Sequence, residues 1–178
     1  MRGEAPLRRV ALGENTCGQA AVACVVAGAS EASLTRDFPP DVPFGLGTSA
    51  PRILSALRAH GATTTWIHGG WFGRGATRAR ARLVAHLATG QHAILCLDAG
   101  RLGGAAFSAH WAVATGLVED GIVLRNLSQD GAIQWPEFMA SWRCPHLPWR
   151  YNHCALLVHP DADNLNRRTL RWPDCSTS

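Results

Sequence analysis

The stretch HWAVATGLVEDGIVLRNL, residues 110–127, constrains the fold more than any other part of the chain. Two apolar, β-rich runs flank Glu119-Asp120-Gly121, and a short polar turn ending in glycine joins neighbouring antiparallel strands. HAILCLD (92–98) has the same character ahead of the glycine-rich AGRLGGAAFSA, and HCALLVHP (153–160) adds a last strand stopped by Pro160. An antiparallel sheet is therefore expected in the C-terminal half, and it needs something apolar to cover it.

The N-terminal half supplies that cover. Residues 16–28 start at a capping Thr16 or Asn15, run through CGQAAVACVVAG and end at Gly28, which predicts a buried helix beginning at Cys17. A second helix follows in TSAPRILSALRAHG, with Thr48 or Ser49 as cap, Pro51 in the first turn and Gly61 as the stop. Residues 31–47, rich in Pro, Gly and Asp, read as a loop. ATTTWIH reads as a strand, TRARARLVAHLATG as a third helix after the glycine-broken GGWFGRGA, and IQWPEFMASWRC as a short helix begun near Pro136. The fold class is α+β, an N-terminal helix packed on a C-terminal antiparallel sheet, with one domain over 1–160 and a polar tail over 161–178.

A chain of 178 residues, 47% hydrophobic and 17% charged, can bury a core without disulfides or a structural metal. Its 17 basic residues are all arginines and its net charge is +4. Apart from Arg78, Arg80, Arg82 and the pair Arg167 and Arg168 they are scattered, with no aromatic interleaving, so no nucleic-acid partner is expected. No apolar run is long enough to span a membrane and the first residues lack a secretory signal, so the expected location is cytoplasmic, or outside the cell by a signal-less route. The irregularly spaced cysteines at 17, 24, 96, 144, 154 and 175 suit free thiols better than a disulfide framework.

Cys17 stands where a helix N-terminus can stabilise a thiolate through free N–H groups and the dipole, and Gly18 beside it leaves room for a substrate. The plainer reading of the same cysteine is a small core residue, since free cysteines are often buried. His110 opens a strand after a flexible loop and can serve as the base, and Asn126, at the end of the next strand, can orient its ring. By itself Asn126 also reads as a turn residue before Ser128. Cys144, His146, His153 and Cys154 include plausible zinc ligands, but without a standard zinc spacing, and Cys154 should turn into the core. A Cys144–Cys154 disulfide is the other option for that segment. No metal or cofactor is expected.

With Cys17, His110 and Asn126 in that order, the chain resembles papain-like cysteine peptidases. More narrowly it resembles the bacteriocin-processing branch, which includes leader-peptide-cleaving domains of ABC exporters. NTCGQAAVACVV is similar to the nucleophile helix, LVAHLATGQHAILCLD to the third helix and its strand, and HWAVATGLVEDGIVLRN to the histidine hairpin; the similarity spans 11–159. It implies a Cys-His-Asn triad acting through a thioester on a peptide or amide substrate. Two features depart from the family pattern. No glutamine precedes Cys17, so Asn15 or Gln19 is left as the side-chain oxyanion donor, and the usual Asp-Pro is replaced by Asn126-Leu127. Glutamine deamidation, acyl transfer, or peptide binding without turnover are the other functions such a chain could have.

Overall fold

The computed structural model describes residues 16–42, 47–70, 74–104, 106–127 and 130–159, so Asn15, Pro160 and the expected tail at 161–178 lie outside the described residues. The helices are α1 (Cys17–Val25), α2 (Glu31–Asp37), α3 (Ala50–Ala59), α4 (Ala76–Leu87) and α5 (Trp135–Ser141). The strands are β1 (Thr63–Ile67), β2 (Ala93–Asp98), β3 (Ala109–Val118), β4 (Gly121–Arg125), β5 (Gly131–Gln134) and β6 (Ala155–His159). They form one antiparallel sheet in the order β1-β6-β2-β3-β4-β5.

Two elements differ from the sequence reading. Within the expected loop 31–47, residues 31–37 form α2, because Ser30 and Ser33 build a reciprocal capping box at its start. β5 is not expected from the sequence; the helix expected to begin near Pro136 starts at Trp135, directly after Gly131–Gln134 has paired with β4. Its four residues carry too little alternation to stand out.

The central strands are covered on both faces. Ile94, Cys96, Trp111, Val113 and Leu156 pack against Ala21, Val22 and Val25 of α1, with Ile53 and Leu57 of α3 in the same cluster. The alternate residues Leu95, Leu97, Ala112 and Ala114 pack with Leu83 of α4 and with Phe138 and Trp142 around α5. The chain thus has three layers, which explains why β2 reads as a continuous apolar run, every residue of it buried except Asp98.

Register creates an open edge. β3 pairs with β2 as far as Ala109, opposite Asp98, whereas β4 ends at Arg125, opposite Val113. Residues 109–112 therefore extend past β4, and the main chain of Trp111 is left for other partners on that side.

Candidate active site

Cys17 is the first residue of α1, and the first intrahelical bond, from Ala20 N–H to Thr16 C=O, spans 2.9 Å. The N–H groups of the first turn have no partner inside the helix. Thr16 is the N-cap residue but does not cap with its side chain; its hydroxyl donates to Glu31 Oε1 at 2.6 Å. The Cys17 end of the helix thus carries no side-chain cap.

Gly18 meets protein on its open face. A Cβ there would lie 2.8 Å from Thr48 Cβ and 3.2 Å from Ile53 Cδ1, so glycine is required for α1 to approach the start of α3. The room it provides is taken by Thr48 and Ile53, which corrects the expectation that substrate uses it. Trp111, also buried here, donates its indole N–H to the Thr48 carbonyl at 2.7 Å and meets the Tyr151 ring edge-on at 6.2 Å.

The open edge of β3 is filled by Asn126. Its side-chain amide donates to the Trp111 carbonyl at 2.7 Å and to the Cys17 carbonyl at 3.0 Å. His110 Nε2 lies 2.5 Å from the Asn126 main-chain carbonyl. The ring therefore meets the expected residue at the peptide oxygen, not at the amide. The reason is local: Asn126 is left-handed, with φ of 63°, a conformation asparagine tolerates better than most residues. Among the described residues no hydrogen bond joins the Cys17 thiol directly to the His110 ring; Asn126 is what ties the two segments together.

Gln19 cannot face the cleft as it stands. It is 3% exposed, donates from Nε2 to the Phe38 carbonyl at 2.7 Å, and accepts from the Thr48 hydroxyl at 2.8 Å. Both ends of the amide are spent inside, which corrects its assignment as an oxyanion donor; Asn15, the other expected amide, lies outside the described residues. Gln19→Ala is expected to lower stability by about 1–3 kcal/mol, the cost of stranding buried partners, while turnover of the folded protein falls less than about tenfold. Thermal melts alongside steady-state kinetics check this. A loss of about 100-fold or more with an unchanged melt would restore Gln19 as an oxyanion donor.

Burial governs the electrostatics. It pushes the Cys17 thiol above its ordinary 9.0, more than the N–H groups of Trp111, Gly18 and Cys17 itself pull it down; Glu31 adds a smaller upward push. Burial likewise holds His110 below the ordinary 6.5, against the carbonyl of Asn126. Both shifts favour the neutral thiol and the neutral imidazole. The helix terminus does favour the thiolate, as its position implied, but desolvation is the larger effect.

Among the described residues Cys17, Cys96, Cys144 and Cys154 are free thiols, Cys17 half-exposed and the other three buried, whereas Cys24 is disulfide-bonded, which corrects the expectation of free thiols at that position. The Cys154 thiol accepts from Trp66 Nε1 at 3.2 Å and is pushed up to about 12 by burial. Cys144 and Cys154 are therefore unbridged, and Cys154 does turn into the core. Among the described residues no three His, Cys, Asp or Glu side chains converge as metal ligands. No described helix is long and apolar enough to cross a membrane.

Two solved structures have this arrangement of elements. The peptidase domain of Streptococcus ComA, a bifunctional ABC transporter involved in a quorum-sensing pathway, superposes with a TM-score of 0.60 at 17% identity, over 86% of this chain and 98% of that one. A C39-like peptidase from Bacillus anthracis gives 0.59 at 11% identity, over 89% of this chain and 96% of that one. The fold is the C39 peptidase fold. No protein-family model and no curated protein matches the sequence itself. The α+β class expected from the order of elements, and the fold that the family resemblance implied, are thus the observed ones, at identities that speak to fold alone.

Proposed function

We propose that this C39-like chain is a cysteine peptidase or amidase acting on a peptide substrate. Cys17 attacks the amide carbonyl while its thiol proton passes to His110, forming the S–C bond of a tetrahedral adduct. The main-chain N–H groups at the start of α1 stabilise the oxyanion, since the Gln19 amide is spent on Phe38 and Thr48. His110 then gives its proton to the leaving amine as the C–N bond breaks, and water hydrolyses the thioester by the reverse transfer. Asn126 holds the histidine. The observation that carries this reading is the tie from Asn126 to both the Cys17 carbonyl and the His110 ring.

The test is covalent capture. A peptide aldehyde or chloromethyl ketone should add once per chain at Cys17, read by mass spectrometry, and should leave Cys17→Ala unmodified. Peptide binding retained in both proteins with no adduct in either would replace the enzyme with a binding module. Release of ammonia from a glutamine side chain with no cleavage would move the same thioester chemistry to deamidation.

A further inference from the structure

The geometry points to Asn126 as a positioning residue that works with its peptide carbonyl and its amide in separate roles: the carbonyl fixes the His110 tautomer, and the amide anchors the nucleophile's carbonyl to β3. This rests on the peptidase reading and goes beyond it. An amide side chain facing the ring could present either its oxygen or its nitrogen, and so leave the tautomer open. A peptide carbonyl can only accept. With Nε2 2.5 Å from the Asn126 oxygen, the proton of neutral His110 sits on Nε2, and Nδ1 carries the lone pair that receives the thiol proton. In that transfer the S–H bond breaks and an Nδ1–H bond forms, while the Nε2–H bond stays intact.

The amide is used elsewhere. Nδ2 directs its hydrogens to the Trp111 and Cys17 carbonyls, at 2.7 and 3.0 Å, so α1 is pinned by its first residue to the unpaired edge of β3. The left-handed φ of 63° lets one residue do both, turning the peptide oxygen to the ring and the side chain to the helix. Leu127 N–H, donating to Asp130 Oδ1 at 3.2 Å, ties down the chain immediately after it.

This division gives substitutions an unusual order. Glycine keeps the carbonyl and adopts the left-handed conformation without cost, losing only the amide. Aspartate, the conservative replacement if the side chain oriented the ring, has no hydrogen to donate and sets a carboxylate against two carbonyl oxygens. Asn126→Gly should therefore modify Cys17 with a peptide aldehyde at least about tenfold faster than Asn126→Asp, a small part of what a base contributes. The reverse order overturns the proposal.

Nitrogen-15 NMR of the His110 ring, recorded in the Cys17→Ala protein and assigned with His110→Gln, reads the tautomer without any turnover. The Nε2–H tautomer at neutral pH, persisting in Asn126→Gly, is the expected result. An Nδ1–H tautomer, or one that Asn126→Gly changes, overturns the proposal even where Asn126→Asp fails to fold. If Cys17 forms no adduct in the parent protein, the peptidase reading fails, and the NMR result still decides the role of Asn126.

Discussion

Cys17→Ala is expected to reduce peptide turnover by about 1,000-fold or more with little change in melting temperature, because a single sulfur carries the covalent step and is only half-buried. Activity within tenfold of the parent would remove Cys17 from the mechanism. The pH profile of kcat/KM supplies a second arm. The competent form of the free enzyme holds one proton between thiol and imidazole. Burial depresses His110, so the acid limb should lie below 6.5, and burial raises Cys17, so the alkaline limb should lie above 9.0. A broad plateau between those values is the expected shape. A limb falling inside it would mean that the resting pair is not neutral, as in a preformed thiolate–imidazolium site.

Acid should unfold the chain more steeply than a single titrating group can explain. Burial is the main cause holding His86, His92, His110 and His153 below 6.5. Their surroundings oppose the charge further: His159 stands edge-on to His86 at 5.0 Å, Arg125 and His86 act on His92, and Arg143 acts on His153. Only for His86 and His110 does a main-chain carbonyl pull the other way. The sign follows from proton counts. Above 6.5 neither the folded nor the unfolded chain protonates these rings, and the stability is fully present. As pH falls below 6.5 the unfolded chain takes up protons that the folded one refuses, and stability drops until the folded values are passed. Each excluded proton contributes a slope of up to about 1.4 kcal/mol per pH unit, against a typical domain stability of about 5–15 kcal/mol. Urea melts between about pH 7.5 and 5 should show a slope larger than one proton allows. His92→Gln and His153→Gln should each make it shallower. A slope of one proton or less would show that these rings protonate within the folded state.

Much of this protein was legible in its residues. The turn at 119–121 declared the β3–β4 hairpin, the small apolar residues after Thr16 declared α1, and these signals survive because they are local: period, cap and turn chemistry act within a few residues. Cys17, His110 and Asn126 could be picked out in order for the same reason, each standing at the boundary of a local element. α2 and β5 escaped notice because a seven-residue helix and a four-residue strand carry too little periodicity, and depend on a serine capping box and on a partner strand. What the amides do was decided by the tertiary structure alone. Gln19 lies on a helix whose rotation is set by α2 and α3, so its side chain is consumed by Phe38 and Thr48. Asn126 meets His110 through its backbone because β4 stops short of the end of β3 and the next residue turns left-handed, a consequence of register that no spacing along the chain encodes. The thiol's acidity was likewise a balance of long-range packing against helix-end donors, and burial, which only the folded chain creates, outweighs the dipole that the sequence displays.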